Sequence, residues 1–154
     1  MIDSQSVNTT ESGGIRGYDG GKKIKGRKRH AMVDTDGRAP KLQAHSAAIQ
    51  DRDEAGPLLR ASRPSWLFVA LGYADGGYAG PRVANASPIR IEVVRKATNQ
   101  VGFAVIARRW VVERFFAWIN RNGRLVKDFE ATSGSVEAFL YAAPSIILLR
   151  RLAR

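Results

Sequence analysis

The sequence predicts a mixed α/β fold, a sheet covered by helices, and three observations carry that expectation. Its segments read in the order strand, hairpin, helix, buried strand, strand and helices, which suits a mixed sheet better than a bundle or a sandwich. Trp66 to Ala74 is a continuous apolar run bounded by Pro64 and by Gly76-Gly77, as expected of a strand buried on both faces. Residues 108–122 repeat apolar side chains at helical spacing, with Val111, Val112, Phe115, Phe116, Trp118 and Ile119 on one arc. The 154 residues fit one domain with its own core.

The elements follow in order. Ile2 to Val7 reads as a short first strand, of which little precedes Asp3. Residues 11–29 are rich in Gly and carry Lys22, Lys23, Lys25, Arg27, Lys28 and Arg29, so they read as a flexible basic loop. Ala31 to Val33 and Lys41 to His45 form a hairpin with Asp36-Gly37 at the turn. Glu54 to Ser62 is a helix that Pro57 starts late or bends. The buried strand 66–74 ends at Asp75, and Ile89 to Val94 is another strand. After the helix 108–122, Ser135 to Arg151 forms a final apolar helix that Pro144 should kink.

Charge narrows the partners. The chain holds 25 Lys and Arg against 14 Asp and Glu, a net charge of +11. Residues 1–54 carry 10 basic and 8 acidic side chains and residues 55–154 carry 15 and 6, so the excess sits late in the chain. Such a surface attracts a polyanion, nucleic acid or an anionic membrane. The absence of Cys excludes disulfides, thiolate metal sites and cysteine nucleophiles and suits a reducing compartment. MIDSQSVNTT has no signal-peptide pattern, and the apolar stretch Ala138 to Leu149 is too short for a membrane span, so a cytoplasmic, nucleoid-associated location is expected.

Three acidic positions stand out, each with an ordinary alternative. Glu113 faces away from the apolar arc beside Arg109, which would equally give a weak (i, i+4) surface pair. Asp75 follows a buried strand, where side chains of open sheets reach a ligand crevice, although an Asp before two Gly is also a common turn. Asp3 stands near the chain terminus, where an exposed residue is equally expected. The basic run 22–29 reads as a phosphate clamp, with Arg108, Arg109, Arg114, Arg121, Arg124 and Lys127 extending it, or simply as solvated charge. Trp110 and Trp118 could stack on bases, Trp118 reading better as core; His30 and His45 read as structural.

Taken together, IDSQSV, GYADGGYAG and RRWVVERFFAWINRNGRLVKDFEA resemble the catalytic blocks of bacterial insertion-sequence DDE transposases of families four and five, as do KKIKGRKRHAMVDTDGR and HSAAIQDRDEA. The resemblance implies a ribonuclease-H-like, retroviral-integrase-like fold over residues 1–154. It also implies a catalytic triad of Asp3, Asp75 and Glu113 holding Mg²⁺ or Mn²⁺, two ions, for cleavage at element ends and strand transfer into target DNA. Arg109 matches the family's Arg four before the Glu; Asn120 stands where a basic residue is expected, with Arg121 next to it; Ile106 replaces a common Tyr. The implied partners are element-end and target DNA, a homo-oligomer on that DNA, and a separately encoded N-terminal segment, since relatives carry an end-recognition region there. A split-frame product or a decayed fragment would both fit, with Asp3 then poorly fixed. A non-catalytic basic nucleic-acid-binding module is the alternative.

Overall fold

The computed structural model describes residues 1–11, 14–94 and 109–153. Strand β1 (Ile2–Asn8) pairs antiparallel with β3 (Ile24–Met32), in a register that sets Asp3 against Ala31 and Ser4 against His30. Short β2 (Gly17–Asp19) pairs with the start of β3, and β4 (Lys41–Ser46) pairs antiparallel with the rest of it. Helix α1 (Asp51–Ser62) follows. Next come β5 (Leu71–Ala74), the one-turn α2 (Pro81–Ala84) and β6 (Arg90–Val93), which runs parallel to β5. Strand β5 lies beside β1. Helices α3 (Arg109–Asn120) and α4 (Ser133–Leu152) complete the order.

Side chains of a strand alternate between faces, and residues directly opposite on neighbouring strands share one. Ala31 and its neighbours Leu42 and Ala44 therefore turn to the face covered by α3 and α4. There they meet Val111, Val112, Phe115, Phe116, Ile119, Val136 and Leu140. Ile2 and Met32 turn to the opposite face, against Ala55, Leu58 and Leu59 of α1, together with Ala74, Tyr78 and Ile89. The sheet is thus covered on both sides, as a mixed α/β sheet requires. Asp3, paired with Ala31, looks toward α3, whereas Ser4, paired with His30, looks toward α1.

Several expectations change. Residues 17–32 form β2, a turn and β3 rather than a flexible loop, because the same β3 backbone pairs with β1 on one edge and with β2 and β4 along the rest. Gly26 is the close-approach point, where a Cβ would run into the Val7 carbonyl oxygen. Asp3 is firmly held. β1 extends seven residues beyond Met1, and the backbones of Met1 and Val33 bond across at 2.8 Å.

The hairpin is present, with Gly37 at φ +85° in its turn, but its first strand begins at Ile24. Helix α1 begins at Asp51, ahead of Pro57, its first turn rich in acids that suit a helix N-terminus. The apolar run 66–74 yields a strand only from Leu71. Leu67 and Phe68 are exposed at 69% and 78%, and the Trp66 indole donates to the Pro40 carbonyl at 3.1 Å. Helix α4 runs through Pro144. Its first turn is capped by Thr132, whose hydroxyl accepts from Ser135 N–H at 3.1 Å. No described helix is long and apolar enough to cross a membrane.

Candidate active site

Three elements bring the acids toward one edge. Asp3 enters from the start of β1. Asp75 leaves the end of β5 and caps a single 3₁₀ turn by accepting Gly77 N–H at 2.8 Å, and Glu113 sits on the second turn of α3. Asp3 lies on the α3 side of the sheet by register, and its carboxylate accepts the Ser4 N–H at 2.7 Å. Burial raises its pKa to about 6; the Ser4 bond works against that rise, neighbouring Asp75 adds to it, and Lys22 and Arg109 lower it.

Arg109 ties the other two together. Its guanidinium is 3.7 Å from the Asp75 carboxylate, and its Nε is 3.0 Å from Glu113 Oε1. The second contact is an ion pair by proximity, since the Nε proton is aimed at no acceptor. The (i, i+4) pairing of Arg109 with Glu113 is therefore present, and it reaches beyond its own helix to the end of β5.

The donor chemistry suits a hard divalent cation, because carboxylate oxygens are what such ions take and burial disfavours a bare charge on Asp3. Among the described residues no three His, Cys, Asp or Glu side chains are gathered closely enough to enclose an ion. The positive charge standing among these acids is Arg109.

Around Ser4, on the α1 face, lies a polar network that sequence reasoning missed. Lys22 Nζ donates to both the Ser4 carbonyl and the Ser4 hydroxyl at 3.0 Å, and that hydroxyl donates to Asp51 at 2.8 Å. Lys28 lies 2.8 Å from Asp51 and 3.3 Å from Asp19, and donates to the Ile49 carbonyl. Asp19 shapes the β2–β3 turn by accepting Gly21 and Lys22 N–H at 3.0 Å and the Ser6 hydroxyl at 2.6 Å. Burial alone would raise the Asp19 pKa, but the Ser6 and Lys22 bonds and the charge of Lys28 hold it near 2. An Asp ahead of two Gly was the available signal for this turn. The network borders an open pocket of about 440 Å³ that reaches Gly77.

A second chain of bonds anchors the turn after Asp75. Tyr78 OH lies 2.7 Å from His30 Nε2, His30 Nδ1 lies 3.1 Å from His45 Nε2, and His45 Nδ1 lies 3.0 Å from the Ser46 carbonyl. A carbonyl only accepts, so neutral rings fix every direction: His45 Nδ1–H to Ser46, His30 Nδ1–H to His45, and the Tyr78 hydroxyl to His30. Burial, with a smaller effect from His45, pushes the His30 pKa down to about 3. Burial also holds the Tyr78 hydroxyl well above its usual value. Both histidines are structural.

The basic run divides. Arg27 and Arg29 are 0% and 1% exposed on the α3–α4 face, which removes them from any DNA clamp. The Arg27 guanidinium donates to Asp128 at 3.0 Å and to the carbonyls of Ile15, Glu130 and Ala131. Arg29 donates to the Leu125 carbonyl at 2.6 Å, and burial lowers its pKa to about 10. Lys28 is buried on the other face with its two aspartates, and Lys22 is engaged with Ser4. Lys23 and Lys25 remain exposed. On α3, Arg114 stacks between Trp110 and Trp118 at 4.3 and 4.6 Å, and Arg121 is exposed. Arg124 pairs with Glu130 at 2.6 Å. Ile106 and Arg108 lie outside the described residues.

A four-stranded antiparallel sheet of β1, β2, β3 and β4, a separate parallel β5–β6 pair beside it and helices packed on both faces give the mixed α/β architecture of a ribonuclease-H-like protein, with Arg109 joining Asp75 to Glu113 at its rim. The family model described as the transposase DDE domain matches residues 1–148, and the chain belongs to that family. Membership implies a role in DNA transposition. No curated protein and no solved structure matches the chain.

Proposed function

We propose that this chain is the catalytic domain of an insertion-sequence transposase of the family four or five type, a metal-dependent DNA nuclease and strand transferase. In this reading Asp3, Asp75 and Glu113 are the ligands for Mg²⁺ or Mn²⁺. The observation that supports it is that Arg109 bridges acids from two separate elements, Asp75 and Glu113, while the buried Asp3 lies within electrostatic reach of Asp75 and Arg109. A divalent cation held there supplies charge neutralisation at the phosphodiester and activation of the attacking hydroxyl.

The chain's own side chains prepare that chemistry. Ser4 N–H orients Asp3, and Gly77 N–H orients Asp75. Arg109 orients Glu113 and keeps the acids together, which makes it a positioning residue rather than a phosphate clamp. Gly76 has open space where a Cβ would stand, room for a DNA strand to approach Asp75. Lys23 and Lys25 remain as candidate phosphate contacts at the rim of the β2–β3 turn.

The test is Mn²⁺- and Mg²⁺-dependent nicking of duplex DNA carrying element ends. Asp75→Asn and Glu113→Gln are expected to fall to background, and Arg109→Ala to lose about 10- to 100-fold, as expected when an outer partner of a metal ligand is removed. Unchanged nicking in Asp75→Asn and Glu113→Gln would remove the proposed triad. DNA binding without nicking in the parent chain would leave a basic binding module in its place.

A further inference from the structure

We infer that the groove between the C-terminal ends of α3 and α4 is a second DNA-contact surface, which grips backbone phosphates of a strand running away from the acids. The inference deepens the proposed function and rests on it for the identity of the polyanion. The groove encloses about 380 Å³ and is lined by Trp118, Arg121, Asn122, Ile146, Arg150 and Arg151, with no acidic side chain among the described residues that form it.

Its arginines have no counter-charge. Arg121 and Arg150 are exposed, and their side chains make no ion pair or hydrogen bond within the described residues. Arg151 lays its guanidinium over the Trp118 ring at 4.5 Å, while Arg114 covers the same ring at 4.6 Å. A guanidinium stacked by its face keeps its N–H edge free, and the ring holds the plane in place, so less side-chain freedom is lost when a phosphate binds. Like charges crowded into one groove repel until an anion enters. A phosphodiester meets the planar forks of these arginines with paired oxygens.

The groove lies farther along α3 than Glu113, at the helix's C-terminal end. Trp110, Arg114, Trp118 and Arg121 recur at helical spacing along one face of α3 and just past its end. At 1.5 Å rise per residue, Arg121 stands about 12 Å along the axis from Glu113. One DNA strand advances about 3.4 Å per nucleotide, so the groove would meet phosphates roughly three or four nucleotides from the bond beside the acids.

The experiment is the affinity of the full chain for labelled duplex DNA across about 50 to 200 mM salt, in EDTA so that no strand is cut. Each phosphate neutralised adds about 0.9 to the slope of log K against log salt. Replacing Arg121, Arg150 and Arg151 together by Gln is expected to make the slope shallower by about 2 to 3. The same three positions as Lys should keep the slope. A control removes the same charge from arginines already paired with acids, Arg38→Gln, Arg82→Gln and Arg90→Gln, and should change the slope by less than about 1. Coincident melting curves show that the variants fold. An unchanged slope in the groove variant, an equal loss in the control, or no duplex binding by the parent at low salt would overturn the inference. Binding is read without metal and nicking separately with Mn²⁺, so a parent that binds through the groove yet nicks nothing with Mn²⁺ upholds this surface and sinks the nuclease. Nicking with an unchanged slope does the reverse.

Discussion

The two faces of the sheet handle buried charge in opposite ways, and β3 is the strand that serves both. On the α3–α4 side, Arg27 and Arg29 reach across to the segment 125–131 and end on backbone carbonyls and Asp128. On the α1 side, Lys28 and His30 join side-chain networks that run through Ser4, Asp19, Asp51 and Tyr78 toward the rim where Asp3 and Asp75 stand. Alternation along one strand therefore separates a structural clamp from a support for the site. A basic run is not one functional unit once it enters a sheet.

The largest effect should come from breaking the clamp. Arg27→Ala leaves Asp128 buried without its partner and is expected to destabilise by about 3 to 5 kcal/mol in urea unfolding. The double replacement Arg27→Met with Asp128→Leu should cost much less, because no charge is then left uncompensated. If the double variant were as unstable as the single, the contacts to Ile15, Glu130 and Ala131 would matter more than the ion pair.

The other face is tested by pH. His30 has its folded pKa depressed to about 3 from 6.5, so the unfolded chain binds the extra proton. Stability from this group is complete above about 6.5 and declines as pH falls toward 3, with a slope of at most about 1.4 kcal/mol per pH unit for one proton. Asp3, with its pKa raised to about 6, gains stability in the same range, so the reading is the difference between variants: from pH 7 to 5 the parent's melting temperature should fall relative to that of His30→Gln. Parallel curves for the two would mean that the His30–Tyr78 bond is not the neutral arrangement described.

The smallest effect belongs to the exposed run before β5. Phe68→Ser should change stability by no more than about 0.5 kcal/mol, since 78% of that side chain is exposed. A loss of several kcal/mol would restore the longer buried strand that the sequence suggests.

The helical periodicity of residues 108–122 and the pattern of the hairpin were readable because each depends on near neighbours. The end of β5 at Asp75 was readable for the same reason. The run WLFVALGYA misleads because apolarity alone does not distinguish a strand from a turn that shields one edge; only Leu71 to Ala74 have a partner strand in β6. The basic run misleads because burial of Arg27 depends on Asp128, one hundred and one residues away. The acidic positions came from a resemblance, and their convergence depends on a sheet register that no local pattern states.

Arg109 has one more consequence. A protein that sets carboxylates beside one another must counter their repulsion while it folds, and here the counterweight is part of the chain, four residues before Glu113. Folding of this corner thereby needs no ion from solution: the chain should melt cooperatively in a chelator, and a rise in melting temperature on adding Mn²⁺ would report occupancy of the acids.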